Sequence, residues 1–306
     1  WFFPDVSSSF PKEISLNKEM QFFVTIHDLI PLLYPEVFSY KFNVAFRKTL
    51  QSYINEKRVH FFCVSKNTKK DLCYLKNVNP NRVTVTPLAA DKNKFHACKD
   101  EESNLALRKK YSIGTDPYFL CFSRFAKRKN NILALEAFSL FIKKYPNSNV
   151  KLVLSGMSLG KSNKSIKGVL DFLMAFIAKE GLENHVYLLG FVEEEDLAPL
   201  LSNCLGFLFP SLYEGFGLPI LEAMQCGAPV ISSRTSSMPE VSGDAGILLP
   251  LKDVDLWVEA MAKIYKSEEL QKEMSEKSLE RASLFSWKKT VSKMLETFEV
   301  KQRILT

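Results

Sequence analysis

The stretch SLYEGFGLPILEAMQCGAPV, residues 211–230, decides how the whole sequence is interpreted. It follows a short apolar run, GFLF at residues 206–209, which has the length and composition of a buried β-strand. Pro219 stands near the start of a helix that the pattern predicts for residues 219–226, where proline breaks no helical hydrogen bond. Because Gly215 and Gly217 precede that helix, backbone N–H groups can face a ligand, and the helix dipole favours an anion. The stretch therefore predicts an anion-binding turn between a strand and a helix.

Two glutamates, Glu214 and Glu222, accompany this turn and lie eight residues apart. Glu214 is placed in the loop, and Glu222 is expected in the first turn of the helix. Open α/β sheets bind ligands outside the carboxyl ends of their strands. Both acids are therefore expected to border one pocket at that edge of the sheet. Two glutamates at this spacing do not by themselves identify a kind of site, so the prediction depends on the residues around them.

Strands and helices alternate on both sides of this stretch, which indicates parallel sheets covered on both faces. In the second part of the chain the predicted strands are 118–123, 150–155, 186–189, 206–209 and 229–232, and the predicted helices 131–145, 168–180 and 196–202. In the first part the predicted strands are 22–26, 60–64 and 82–86, and the predicted helices 41–56 and 68–75. The first part amounts to about half of a nucleotide-binding sheet. The polar residues 91–110 are expected to form a linker. Residues 255–299 are expected to be helical, with four buried anchors, Trp257, Trp287, Met294 and Phe298.

The composition is that of a globular protein large enough for two domains, with 46% hydrophobic and 25% charged residues among 306. All twelve glycines follow residue 110, and residues 1–110 hold 18 Lys+Arg against 11 Asp+Glu, which is the whole net charge of +7. A glycine-rich phosphate loop is therefore excluded from the first third of the chain. Any nucleotide site is expected after residue 110.

Several other classes of protein are disfavoured. No run approaches 18 apolar residues, so a transmembrane span is not expected. The six cysteines show no C-x-x-C spacing and the four histidines are dispersed, which predicts neither a zinc site nor a disulfide framework and favours a reducing cytosol. The chain begins at Trp1 with no basic-then-apolar leader, so we expect it to be a piece of a longer protein.

A second signal is the basic segment SRFAKRKN, residues 123–130, which leaves the strand predicted at 118–123. It carries four cations in six residues, which can neutralise a diphosphate. They are Arg124, Lys127, Arg128 and Lys129. A run of charged residues considered alone is more often a solvated turn. The segment 123–130, however, is expected at the carboxyl end of the same sheet as the two acids, and this position favours a binding role.

These motifs carry a resemblance. The run EGFGLPILE, followed by CGAPV, resembles the E-x7-E motif of family-four retaining glycosyltransferases, which use nucleotide sugars and have the GT-B fold. The similarity continues through residues 25–35 (TIHDLIPLLYP), 64–72 (VSKNTKKDL), 82–95 (RVTVTPLAADKNKF), 190–192 (GFV), 239–241 (PEV) and 285–287 (FSW). The segment around residues 25–35 is most similar to mannosyltransferase-like members. The match covers nearly the whole chain.

The resemblance implies an α/β fold with two Rossmann-like domains facing across a cleft, the N-terminal one incomplete. The implied division is an acceptor-side domain at 1–109, a donor-binding domain at 110–285, and a helix at 286–306 that packs back on the N-terminal domain. The family's opening strand and glycine-bearing loop have no counterpart in this sequence.

The resemblance also implies a role for individual residues. Arg124 and Lys129 match the pair that holds the donor diphosphate, with Lys127 and Arg128 as supporting charge. Glu222 matches the acid that hydrogen-bonds the ribose. The implied sugar-side and base-side contacts are Glu214 at the donor sugar, His27 reaching the transferred sugar from the acceptor side, the amides of Gly215, Phe216, Gly217 and Leu218 at hydroxyls and phosphate, and Phe191 and Val192 at the base.

The implied reaction is transfer of a hexose from a GDP- or UDP-linked donor to a glycan or lipid-linked saccharide, with retention and without a metal or other cofactor. Mannose from GDP-mannose is slightly favoured. Fixed cations and a helix N-terminus can stabilise the leaving diphosphate. The alternative is a truncated or non-catalytic protein that binds a nucleotide sugar without transferring it.

The surplus of basic residues in the first part allows two further interpretations. We expect a cytoplasmic protein. In one interpretation, residues 41–58 make a peripheral contact with an anionic membrane surface; in the other, they form a core-packed helix with a solvated basic face.

Nucleic acid is not an expected partner, because Lys66, Lys69 and Lys70 lack an interleaved aromatic platform. Asp253 and Asp255 form a D-x-D pair, but they precede a predicted helix, so Asp253 is expected to cap it rather than bind a metal.

Overall fold

A computed structural model describes residues 1–6, 20–98, 100–156 and 164–303. Within them the chain forms two compact units. Unit 1 consists of Trp1–Ala89, Tyr213–Phe216 and Phe285–Thr306, and unit 2 of Ala90–Leu212 and Gly217–Leu284. Residues 304–306 of the predicted C-terminal helix lie outside the described residues.

The described residues contain ten strands and twelve α-helices. The strands are β1 (Phe2–Phe3), β2 (Phe22–Ile26), β3 (Val59–Cys63), β4 (Val83–Val85), β5 (Tyr118–Phe122), β6 (Lys151–Ser155), β7 (Val186–Leu189), β8 (Gly206–Phe209), β9 (Val230–Ser233) and β10 (Gly246–Leu249). The helices are α1 (Ile30–Leu33), α2 (Tyr40–Asn55), α3 (Lys66–Lys76), α4 (Glu101–Lys110), α5 (Asn131–Lys144), α6 (Lys164–Glu180), α7 (Glu194–Ser202), α8 (Leu218–Gln225), α9 (Met238–Ser242), α10 (Val254–Lys266), α11 (Glu268–Ser283) and α12 (Trp287–Arg303). None of these helices, taken over the described residues, is both long and apolar enough to cross a membrane.

Unit 1 is built on a parallel sheet with the strand order β1-β2-β3-β4. Every residue of β2 and β3 is buried, as expected of apolar strands covered on both faces. On one face Phe23 and Phe62 meet Phe298 of α12, with ring centroids 4.4 and 5.6 Å from that ring. The last helix therefore belongs to unit 1 through aromatic packing on its sheet.

Unit 2 is built on a six-stranded parallel sheet with the order β10-β9-β8-β5-β6-β7. The chain runs outward from β5 through β6 to β7, and then outward in the other direction from β8 through β9 to β10. Strands β5 and β8 are neighbours, with Leu120 opposite Phe207. The strand order thus reverses between β5 and β8, and ligands of open α/β sheets bind at such a point. We call the carboxyl ends of β5 and β8 the switch point.

The alternation of strands and helices confirms the α/β prediction, and β2, β7 and β8 have the predicted bounds. The prediction of a linker at 91–110 was wrong for its last ten residues, which form α4. Asp100 caps this helix by accepting from the Ser103 amide, and Leu107 is its one buried residue. The compact units accordingly divide at Ala89, ahead of α4.

The two predicted tryptophan anchors differ. Trp257 in α10 is fully buried and its indole N–H donates to the Pro250 carbonyl at 2.9 Å. Trp287 is 50% exposed, so its prediction as a buried anchor was wrong. It is the first residue of α12, at the end of the helix opposite to Phe298, the residue that packs on the unit 1 sheet.

Candidate active site

The switch point of unit 2 joins the two segments that the sequence singled out. The Leu212 N–H donates to the Arg128 carbonyl at 2.8 Å, and the Ser211 hydroxyl donates to the same oxygen at 3.3 Å. Arg128 belongs to the basic segment after β5, and Ser211 and Leu212 lead out of β8. The basic segment and the start of the glycine-bearing loop are therefore held together by one main-chain hydrogen bond and one hydrogen bond from the Ser211 hydroxyl.

Two hydroxyl groups at the end of β9 fix the same two residues from the other side. Ser233 Oγ donates to the Ser211 carbonyl at 2.6 Å. Thr235 Oγ1 lies 3.3 Å from the Ser211 carbonyl and 3.1 Å from the Leu212 carbonyl. Sequence reasoning missed this support. The signal was the hydroxyl-rich run SSRTSS, residues 232–237, which begins in the last two residues of a buried strand.

Three of the four cations of the basic segment lie on a single 3-10 turn, Lys127–Lys129. The turn ends at Asn130, whose φ of 54° lies in the left-handed region that asparagine tolerates better than most residues. Lys129 is partly buried, and its ammonium lies 5.2 Å from the centroid of the Phe209 ring at the end of β8. Arg124 is exposed to solvent. The positive charge therefore lies at the switch point, with Lys129 the more enclosed of the two predicted diphosphate ligands.

Glu222 lies in α8 at the fifth helical position, so its predicted place in the first turn was wrong. The helix begins at Leu218, one residue before the predicted start, and its first turn holds no acid. Burial of the Glu222 carboxyl raises its pKa to about 7, the charge of Glu194 adds to the rise, and Lys129 opposes it. Lys129 and Glu222 therefore interact electrostatically within unit 2. A carboxyl group with this pKa can exchange a proton near neutral pH.

This shift makes the stability of the fold depend on pH. The pKa of Glu222 is higher in the folded chain, about 7, than its ordinary 4.5. Its stabilising effect is therefore fully present below pH 4.5 and is lost as the pH rises through 7. A shift of one pKa unit corresponds to about 1.4 kcal/mol of unfolding free energy, and the solvent contact that the carboxyl keeps reduces this value. We therefore expect the change in unfolding free energy between low and high pH to be about 2 kcal/mol smaller in Glu222→Gln than in the wild type. Urea unfolding of both proteins at pH 5 and pH 8 measures the difference; parallel pH curves would contradict the assignment.

Unit 1 brings together two other predicted residues. Gly215 lies directly against the backbone of His27. A Cβ added at Gly215 would overlap the His27 carbonyl oxygen and lie 2.8 Å from Asp28 Cβ. The Thr68 hydroxyl donates to the Gly215 carbonyl at 3.0 Å. Glu214, next in the chain, is 8% exposed. The loop that carries Glu214 is thus seated on the residues that follow β2.

Neighbouring side chains hold this loop in place. The Tyr213 hydroxyl donates to Asp71 at 2.7 Å, and the Phe216 ring packs against Phe285 with ring centroids 5.9 Å apart. His27 is exposed, and its Nε2 lies 3.1 Å from the Pro4 carbonyl. His27 and Glu214 therefore share the carboxyl-end edge of the unit 1 sheet.

The remaining predicted residues lie in unit 2. Gly217 caps α8 with φ 99°, a conformation that favours glycine, and Leu218 is the first helical residue. Phe191 follows β7 and is 55% exposed, whereas Val192 is 5% exposed. Only Phe191 of these two therefore offers much side-chain surface to a base.

Metal-ligating side chains are not grouped in the part of the chain that the structure describes: no three His, Cys, Asp or Glu residues lie together in a way that could hold an ion. The prediction that Asp253 of the D-x-D pair caps a helix is confirmed. Asp253 is the N-cap of α10 and accepts from the Leu256 amide at 3.4 Å.

Comparison with known families gives a match over more than half of the chain. The model of the family described as glycosyl transferases group 1 matches residues 103–281. The matched region contains the basic segment, the switch point and all of α8.

Among curated relatives, O-antigen chain mannosyltransferase B of Escherichia coli is 28% identical over 277 residues, which is 90% of this chain and 69% of that protein. Serotype-specific mannosyltransferase WbdA of Escherichia coli is 29% identical over 279 residues, which is 89% of this chain and 32% of that protein. The chain thus spans about a third of WbdA.

Solved structures show the same fold. Anabaena Alr3699/HepE, in complex with UDP and glucose, is 20% identical with a TM-score of 0.75, covering 91% of this chain and 71% of that one. Sucrose-phosphate synthase from Thermosynechococcus elongatus is 20% identical with a TM-score of 0.73, covering 94% of this chain and 69% of that one. Together with the parallel sheets, these neighbours confirm the α/β, GT-B fold class.

Proposed function

This chain belongs to the glycosyl transferases group 1 family and is a glycosyltransferase, and we propose that it transfers mannose from GDP-mannose to a glycan acceptor with retention of configuration. The choice of mannose draws on relatives that are named mannosyltransferases. The name of one of them, an O-antigen chain mannosyltransferase, supports a growing or lipid-linked polysaccharide as the acceptor.

The observation that carries the proposal is the arrangement at the switch point, where the ammonium of Lys129 lies against the Phe209 ring and the Arg128 carbonyl is hydrogen-bonded to the loop that leads to Glu214. A nucleoside diphosphate needs cations at its phosphates and an acceptor for its ribose hydroxyls. Lys129 and Arg124 supply the first, and Glu222 supplies the second. The amides at the start of α8, from Gly217 and Leu218, add dipoles that favour an anion.

The proposed chemistry breaks the bond between the anomeric carbon and the diphosphate oxygen. Negative charge then develops on the diphosphate, where fixed cations stabilise it. The acceptor hydroxyl forms its bond to the anomeric carbon on the same face, and its proton passes to the departing phosphate oxygen. Glu214 and His27 are proposed to contact the sugar, because both lie at the carboxyl-end edge of the unit 1 sheet. The proposed reaction uses no metal ion or other cofactor.

A thermal-shift panel of GDP-mannose, UDP-glucose, GDP and UDP tests the donor. A ligand that binds only the folded chain at one hundred times its Kd adds about 2.7 kcal/mol to the free energy of unfolding. We expect GDP and GDP-mannose to raise Tm, and the uridine nucleotides to have a smaller effect. No shift with any of the four would contradict a nucleotide-sugar site.

A donor-hydrolysis assay on the same protein separates catalysis from binding. We expect slow release of GDP from GDP-mannose without acceptor and faster release with a mannose-containing acceptor. Tm shifts without any release of GDP would instead support a non-catalytic nucleotide-sugar-binding protein.

A further inference from the structure

A buried aromatic ring lies beneath one of the cations at the switch point. Phe209 is the last residue of β8 and is 1% exposed. The ammonium of Lys129 lies over this ring, 5.2 Å from its centroid. A lysine cation within about 6 Å of a ring centroid is attracted by the negative face of the ring, and more strongly where water is excluded. The contact therefore joins the basic segment after β5 to the neighbouring strand.

The Phe209 ring is itself held in a fixed position. It stacks on the ring of Phe207, with centroids 5.8 Å apart and ring planes inclined by 26°. Phe207 is fully buried, and the two residues share one face of β8 because they lie two positions apart. The ring of Phe209 is therefore a rigid surface on which a flexible side chain can rest.

The main chain fixes where the Lys129 side chain begins but not where its ammonium lies. Lys129 is the last residue of its 3-10 turn, and its amide donates to the Ala126 carbonyl at 2.9 Å. The four-carbon stem of a lysine is flexible, so the turn alone leaves the position of the ammonium open. The Phe209 ring restricts the stem at its far end.

A ring holds a cation in a way that suits the proposed reaction. A carboxylate partner offsets part of the positive charge of a lysine and repels a diphosphate placed beside it. An aromatic ring carries no net charge, so the lysine keeps its charge for the diphosphate oxygens. The pKa of the nearby Glu222 is about 7, so the charge of that carboxyl changes near neutral pH. The ring does not titrate, and its contact with Lys129 therefore persists across this pH range.

Resting on the proposed function, we propose that Phe209 is a positioning residue, whose ring holds the Lys129 ammonium where charge develops on the leaving diphosphate. In this role the ring contacts neither donor nor acceptor and acts through Lys129. Without the ring, the ammonium still reaches the diphosphate in the ground state but stabilises the developing charge less well. We therefore expect loss of the ring to lower kcat more than the affinity for GDP.

Replacement of the ring by an aliphatic side chain gives the first test. We expect Phe209→Leu to lower kcat for GDP release about 3- to 30-fold, the range for loss of a cation–π contact. Phe138→Leu is the matched control, because Phe138 of α5 is fully buried and stacks on Phe141 with centroids 6.2 Å apart. It should lower Tm similarly and keep the wild-type kcat. Equal losses of kcat in both variants would point to packing alone and overturn the proposal.

A double-mutant cycle shows whether the ring acts through the lysine. In a Lys129→Ala background, Phe209→Leu should have no further effect on kcat, because the group that the ring positions is gone. If Phe209→Leu lowers kcat by the same factor with and without Lys129, the ring acts on the reaction by another route and the proposal is wrong.

Fluorinated phenylalanines at position 209 change the ring while keeping its shape. Successive fluorine atoms weaken the negative face of the ring, and so the attraction for a cation, with little change in apolar packing. We expect kcat to fall steadily as fluorine atoms are added, with Tm almost constant. A kcat that does not respond to fluorination would contradict the role of the ring.

NMR of dimethylated lysines detects the contact without catalysis. Dimethylation with carbon-13-labelled formaldehyde keeps the positive charge, and Lys129→Arg identifies the Lys129 signal by removing it. We expect the Phe209 ring current to shift this signal upfield in the wild type but not in Phe209→Leu, and an unshifted wild-type signal would overturn the proposal. An upfield signal in a chain that releases no GDP would contradict the proposed function and still support Phe209 as the residue that positions Lys129.

Discussion

Replacing Lys129 with alanine should lower kcat about 10²- to 10³-fold, which corresponds to a loss of about 2.7–4 kcal/mol of transition-state stabilisation. The cause is the charge that appears on the leaving diphosphate only as the glycosidic bond breaks. Lys129 lies at the switch point, partly buried, with its ammonium over the Phe209 ring. A cation fixed there needs little reorganisation when the charge develops. Initial rates of GDP release with saturating GDP-mannose and acceptor measure the effect.

Two variants show whether the loss comes from charge at this position. Lys129→Arg keeps a cation and should recover part of the rate, although the guanidinium differs in shape from an ammonium. Lys144→Ala removes an equally charged lysine from the exposed end of α5 in the same unit, and should retain the wild-type kcat. Near-normal turnover in Lys129→Ala, with a wild-type Tm, would show that Lys129 does not stabilise the leaving group.

The order of elements in this fold could be predicted because apolar runs and polar turns alternate so regularly. Strands such as β2 and β8 are buried along their whole length, so their sequences are apolar at every position except Thr25. Five elements were not predicted. Four of them, β1, α1, α9 and β10, are only two to five residues long, and α4 buries a single leucine and so lacks a strong apolar stripe.

The site was only partly predictable for a different reason. Residue types with distinctive chemistry, such as Lys129 and Glu222, could be proposed from the motif. Their support could not, because the link between Arg128 and Leu212 is a main-chain hydrogen bond that residues of any type can form. The pKa shift of Glu222 likewise depends on burial and on Glu194, which lies 28 positions earlier in the chain.

Gly215→Ala is expected to destabilise the chain by about 3 kcal/mol, the upper end of what an extra methyl in a tightly packed place costs. Its Cβ would overlap the His27 carbonyl oxygen and crowd Asp28. Both the glycine and the carbonyl are backbone, so no side-chain rotation relieves the overlap. The Thr68 hydroxyl also holds the Gly215 carbonyl from the other side. The loop that carries Glu214 must therefore move away from His27, and we expect transfer activity to fall with stability.

Gly168→Ala is the matched control because it makes the same chemical change where a Cβ meets nothing within 4 Å, on an exposed turn of α6. There alanine should raise the free energy of unfolding by about 0.5–1 kcal/mol through its better helix propensity. Urea unfolding of the two variants should therefore give shifts of opposite sign. If Gly215→Ala unfolds at the wild-type urea concentration, the close approach of Gly215 to His27 does not hold the Glu214 loop. If it is destabilised yet transfers at the wild-type rate, the position of that loop is not needed for the reaction.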